Sequence, residues 1–161
     1  MTKLEILPPV VLEGTAGTPR RVELIEGLIV DYYCDDAIGI LYIYRVNRTI
    51  VDTFVEVCKA YAETRRAVGQ PLLYSLVIKT FTLTPYMNRR SEELIELFKD
   101  MYGRAAYVLE VGLYRVMLRN FIALYYQKGM VNVEFHVVKS AEEALRWLYE
   151  GYTEWQAQNS H

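Results

Sequence analysis

The sequence predicts a single α/β domain with a mixed sheet of five or six strands and four helices. Three observations lead to this class. Apolar runs of strand length alternate with segments of helical periodicity. The joints between them are short, which is typical of strand–helix–strand crossovers and predicts parallel strands late in the chain. The length of 161 residues, 52% of them hydrophobic, suits one domain with a substantial core.

The first part of the chain predicts an arm and three strands. Residues 1–20 combine a Pro-Pro pair with a glycine-rich turn, so we expect an amino-terminal arm before a domain that covers residues 21–154. Alternating apolar residues on both sides of Glu26-Gly27 predict a β-hairpin. The run IGILYIY at 38–44 is apolar on both faces, which predicts a central or covered strand.

Helix start signals divide the remainder of the chain. Asn47 or Thr49 can cap a first helix, and Thr84, followed by a proline, can cap a second. Ser140 opens a capping box for the last helix. Further strands are predicted at 72–81, 105–111 and 131–138, and a polar tail at 155–161.

The third helical segment, 113–127, is apolar nearly all round. A helix of this kind is packed on two sides, and a single sheet covers only one of them. We therefore expect its other side to lie against a second subunit or against the amino-terminal arm. The residues expected at a subunit interface are Leu113, Met117, Phe121, Leu124 and Tyr125.

Composition narrows the class of function. A net charge of −2 gives no general attraction to nucleic acid or to anionic membranes. The chain has neither a signal-like amino terminus nor an apolar run long enough to span a bilayer, which predicts a cytoplasmic protein without a transmembrane segment. Cys34 and Cys58 are isolated from each other and from histidine, so neither a disulfide framework nor a zinc site is expected. The 14 tyrosines suit half-buried sheet surfaces at an interface at least as well as a ligand site.

The order of these elements resembles that of the bacterial STAS-like proteins, the stand-alone relatives of the STAS domain (sulfate transporter and anti-sigma-factor antagonist). The resemblance rests on PLLYSLVIKTF, on VGLYRVMLRNFIALYY and on the closing FHVVKSAEEALRWL, within residues 22–149. It implies a small regulatory or interaction module, commonly dimeric and without enzymatic activity. In the anti-sigma-factor antagonists, a phosphorylated serine lies at the start of the helix after the central strand, in an Asp-Ser-Ser-Gly-like motif. The stretch 80–85 lacks that aspartate, the serine pair and the glycine, and Thr84 stands roughly in the serine's place.

Arginines near two helix starts are the candidates for binding an anion. In open α/β sheets, ligands bind beyond the carboxyl ends of the strands, and these helix starts lie there. Arg89 or Arg90, together with Arg115 and Arg119, could hold an anion, and Thr84 could accept a phosphate. The alternatives are a plain helix cap for Thr84 and solvated or salt-bridged arginines.

The sequence predicts no catalytic residue, no metal site and no cofactor. His136 lacks a serine, cysteine or second histidine at a recognisable spacing, so we expect a strand histidine satisfied by a neighbour. The leading expectation is a non-enzymatic regulatory or protein-interaction module that forms homodimers and has a protein partner still to be identified. The alternative is a binder of a small anionic ligand or lipid head group at the carboxyl edge of the sheet.

Overall fold

The computed structural model of this protein describes residues 3–80, 84–109, 112–130 and 132–160, and of residues 112–114 it describes the backbone alone. It confirms the α/β class, with one mixed six-stranded sheet and four helices. The strands are β1 (Arg20–Ile25), β2 (Leu28–Tyr33), β3 (Ile38–Ile43), β4 (Leu72–Ile78), β5 (Gly103–Val108) and β6 (Val133–Val138). The helices are α1 (Arg48–Ala67), α2 (Pro85–Phe98), α3 (Gly112–Gln127) and α4 (Ala141–Asn159).

The strands lie side by side in chain order. β1, β2 and β3 are antiparallel, and β3 to β6 are parallel, as the short crossovers predict. Each crossover steps in the same direction across the sheet, and crossovers are right-handed, so α1, α2 and α3 share one face. We call this the three-helix face. The opposite side carries α4, which packs on β3 to β6, and we call it the α4 face.

The central strands are buried on both faces. Every residue of β3 is buried, which confirms the prediction of a covered strand. In β4 the side chains alternate: Leu72 and Leu76 enter the core of the three-helix face, and Leu73 and Val77 enter that of the α4 face. This period of two follows from the pleat of a strand.

The amino-terminal arm packs on the α4 face. Leu12 is buried there, and the Tyr33 hydroxyl donates a hydrogen bond of 2.7 Å to the Val10 carbonyl. The Leu7 amide donates to the Tyr44 hydroxyl at 2.9 Å. Of the two alternatives for covering α3, the arm is therefore wrong, because its apolar side chains pack on the opposite side of the sheet.

The helix starts follow the predicted capping residues. The side chains of Asn47, Thr84 and Ser140 accept hydrogen bonds from the first-turn amides of α1, α2 and α4. The capping box differs in one detail, because the Glu143 carboxylate accepts from the Lys139 amide at 3.1 Å and not from that of Ser140.

Several boundaries differ from the prediction; β4, for example, was predicted at 72–81 and ends at Ile78. The strand predicted to begin at residue 105 begins at Gly103, which has a φ of +149°, and a side chain there would lie 1.9 Å from the Leu72 carbonyl oxygen. This close strand approach accepts only glycine. At the carboxyl end, α4 continues past Glu154 to Asn159, so residues 155–159 are helical and not an irregular tail. Trp155 is half-buried in this last part of the helix.

Candidate functional site

Among the described residues, α3 carries four of the eight large apolar side chains that are exposed, most of them on its outer side. Val116 is 57% exposed, Met117 37% and Leu124 40%. Leu118 and Ile122 point the other way and are buried in the core. The helix is therefore covered on its inner side alone by the described residues of this chain.

The predicted interface residues divide between these two sides. Met117 and Leu124 lie on the outer side and, with Phe121, line a shallow surface groove. Phe121 and Tyr125 are half-buried and also reach the interior, where they line a cavity. The side chain of Leu113 lies outside the described residues.

Arg90 points toward α1 and is engaged by carboxylates. Its guanidinium hydrogen-bonds Glu93 at 2.9 Å and lies 3.3 Å from Glu56 and 3.4 Å from Asp52. The hydrogen bond from Lys59 and the charge of Arg90 hold the pKa of Glu93 below its ordinary value. These contacts join α1 to α2 and neutralise Arg90, so its charge is used within the fold.

The remaining candidates for an anion site have separate surroundings. The Thr84 hydroxyl accepts from the Met87 amide at 3.1 Å, as an ordinary helix cap does. Arg89 lies over the Tyr86 ring, with its Cζ 5.8 Å from the ring centroid. Arg115 donates to the Leu109 carbonyl at 2.8 Å, at the carboxyl end of β5. Arg119 is exposed on α3 and makes no ion pair with any described residue.

His136 has the satisfied environment that the sequence predicts. Its imidazole stacks on Trp147, with ring centroids 4.0 Å apart, and its Nε2 lies 3.2 Å from the Glu134 carboxylate. Both cysteines are free thiols, on opposite faces of the sheet. No group of three histidine, cysteine or acidic residues in the described ranges comes together as a metal site requires.

Sequence reasoning missed an internal cavity of about 100 Å³ between the sheet and the three-helix face. Tyr74, Tyr107 and Tyr125 bring three hydroxyl groups to its walls. The tyrosine count was a signal, but it did not identify these three. The strand register places Tyr107 of β5 beside Leu76 of β4. Tyr74 lies two residues before Leu76 and on the same face, and Tyr125 of α3 packs over that face.

Comparisons with protein families, curated proteins and solved structures find no match to this chain. The STAS-like resemblance therefore stays a prediction. None of the described helices combines the length and the apolar character needed to cross a membrane.

Proposed function

We propose that this protein is a regulatory or protein-interaction module of STAS-like architecture, which forms a homodimer through the outer side of α3. The observation that carries the proposal is the exposed apolar surface of this helix. The element order on which the family resemblance rests, a leading hairpin followed by strand and helix units that end in a capped helix, is also that of the structure. The module is expected to act by binding a protein, without enzymatic activity of its own.

The outer side of α3 carries a stripe without charge. Met117, Asn120, Leu124 and Gln127 recur at intervals of three and four residues, the spacing of a helix–helix seam. Val116 and Ala123 widen the stripe, so it covers more than 100° of the helix circumference. Arg119 falls at one flank of the stripe and Lys128 at the other.

A second copy of the chain suits this surface. In a two-fold dimer the same patch meets itself, so every charge in the patch would face a like charge near the axis. An uncharged stripe avoids this repulsion, and its central leucine and methionine supply apolar area to bury. At 16 residues, α3 is about 24 Å long, which gives four turns for contact.

Light scattering coupled to size-exclusion chromatography tests the dimer. The wild-type protein is expected to elute with twice the chain mass of 18.8 kDa. Leu124→Arg places a charge in each half of the seam and is expected to weaken self-association by on the order of 100-fold. Because Leu124 is exposed in the single chain, the fold of the subunit should be kept.

Val68→Arg is the matched control. Val68 is an exposed apolar residue at the end of α1, away from α3, and receives the same chemical change. This variant should remain a dimer. A wild-type monomer at high concentration, or a Leu124→Arg protein that still elutes as a dimer, would contradict the proposal.

Binding of a small anion or lipid head group at the carboxyl edge is the second candidate. Arg119, exposed and without an ion pair among the described residues, favours it, and Arg115 lies one turn away. It has less support than the dimer, because Arg90 is already neutralised and Arg115 donates to a main-chain carbonyl.

A further inference from the structure

The walls of the internal cavity are apolar and aromatic. Strands β3, β4 and β5 form its floor, and α1, α2 and α3 form its roof. Phe54, Phe98 and Phe121 contribute rings in addition to the tyrosines. A second space of about 30 Å³ lies beside the cavity and shares Tyr74 and Phe98 with it. Protein interiors hold few voids larger than a water molecule, so two adjoining spaces in one core are unusual.

The cavity opens at the first turns of α2. Thr80 and Asn88 are exposed members of its lining, and Ser91 is half-buried. The opposite end is closed by core residues such as Leu94 and Tyr107, both under 10% exposed. The exposed part of the described lining therefore lies beside α2, and its enclosed part lies against the middle of the sheet.

No charged side chain lines this cavity in the described part of the chain. Burial raises the pKa of Tyr74, Tyr107 and Tyr125 above the ordinary range, so their hydroxyl groups stay protonated. Burial also raises the pKa of the Cys58 thiol to about 12. The described lining of the cavity is consequently neutral over the physiological pH range.

The tyrosine hydroxyls provide a polar point inside these apolar walls. Tyr74 and Tyr107 influence each other's titration, and Tyr107 opposes the effect of burial on the pKa of Tyr74. A phenol hydroxyl can donate one hydrogen bond and accept another, so the pair can still serve a partner. Apolar walls with a few convergent polar groups are typical of small-molecule sites.

Size and charge define the ligand class. A dry cavity of about 150 Å³ in another protein admits benzene, so a space somewhat smaller and open at one end suits a single ring. A charged ligand would lose its hydration without gaining a counter-ion. We propose that this cavity, whose floor carries the Tyr74–Tyr107 hydroxyl pair, is a binding site for a small neutral aromatic molecule with one hydroxyl or carbonyl group. The proposal does not depend on dimerisation.

Two probes that share a ring and differ in charge test this site. Benzyl alcohol is neutral, and benzoate is an anion at neutral pH. At a concentration of ten times its Kd, benzyl alcohol is expected to raise the melting temperature by about 3 to 6 °C. Benzoate should give no rise. In NMR spectra of the wild-type protein, benzyl alcohol should shift the resonances of cavity residues such as Leu76, Leu94 and Leu118.

Two cysteine-to-methionine variants, one inside the cavity and one outside it, test whether the response depends on the cavity. Cys58 lines both spaces, and Cys58→Met places a longer apolar side chain in them. This variant should lose the response to benzyl alcohol. Cys34→Met makes the same change outside the cavity lining and should keep the response.

1-Hexanol tests whether the site prefers an aromatic ring to an aliphatic chain. A smaller rise in melting temperature with 1-hexanol than with benzyl alcohol supports the aromatic class, and an equal or larger rise overturns that part of the proposal. An equal response to benzoate, or resonance shifts confined to surface residues, would overturn the site itself. So would the absence of any response to benzyl alcohol. The NMR result needs no variant, so it decides the question even if Cys58→Met fails to fold.

Discussion

The two faces of the sheet are filled in different ways. On the α4 face, α4 and the arm close over a packed core in which Ile38, Leu145 and Leu148 are fully buried. On the three-helix face, a cavity remains in the core and the outermost helix presents apolar side chains to solvent. The comparison shows a closed core on the α4 face, and on the three-helix face the cavity and the exposed side of α3 on which the two binding proposals rest.

Magnitudes support this division. A cavity of about 100 Å³ costs about 2 kcal/mol of stability, at ~24 cal/mol per Å³. Natural domains have only about 5–15 kcal/mol in total, so such a void is a substantial fraction of the whole. The proposed ligand site therefore lowers the stability of the fold by a measurable amount.

The α4 face contains an ion pair with a buried carboxylate. The preceding arginine in the chain makes a second ion pair that is exposed, so the two can be compared. Arg21 makes two hydrogen bonds to the carboxylate of Asp31, at 2.7 and 2.8 Å, and Asp31 is fully buried. Arg21 also donates to the Leu7 carbonyl at 2.7 Å, which ties the arm to the sheet. Arg20, its neighbour, pairs with Asp36 at 2.7 Å in an exposed position.

The largest effect is expected from Arg21→Met. This change leaves the Asp31 carboxylate buried without a counter-ion, and it is expected to lower the free energy of unfolding by about 3–5 kcal/mol. Arg20→Met, at the exposed pair, should cost far less, because solvent screens that ion pair. Urea unfolding of both variants measures the difference.

A double variant isolates the cause. Arg21→Met with Asp31→Asn removes the buried charge as well as its partner and should recover part of the lost stability. Equal losses in the two single variants would contradict the account, because burial would then make no difference to the ion pair.

Introducing a methionine into each face is expected to have smaller effects on stability. The two effects should be opposite in sign, because one core is full and the other contains a cavity. Ala144 is fully buried under α4, so Ala144→Met should overpack that core and cost about 1–3 kcal/mol. Cys58→Met extends into the cavity and should be neutral or stabilise the protein by about 0.5–2 kcal/mol. Thermal and urea unfolding of the two variants give the comparison, and a destabilised Cys58→Met would argue that the cavity is not free space.

Local signals in the sequence predicted much of the fold. Apolar residues on both faces predicted a central or covered β3, and the residues that accept first-turn amides predicted the starts of α1, α2 and α4. The start of β5 was misplaced because glycine ends helices and also permits close strand approach, and the sequence does not separate these uses. At Gly103 the neighbouring backbone of Leu72 decides between them.

The sites were harder to predict because they depend on neighbours distant in the chain. Arg90 resembles an anion-binding residue until α1 brings Asp52 and Glu56 beside it. The exposure of Leu124 depends on the arm lying on the opposite face. The tyrosine cluster depends on the register of β4 and β5, which no local pattern specifies.

Xenon binding followed by NMR of leucine methyl groups tests the difference between the two faces most directly. Xenon enters dry apolar cavities without needing a specific hydrogen bond. The methyl resonances of Leu76, Leu94 and Leu118, which line the cavity, should shift with xenon pressure and saturate. Those of Leu73, Leu145 and Leu148, buried on the α4 face, should stay unchanged. Shifts of equal size in both groups, or in the α4-face group alone, would contradict the account.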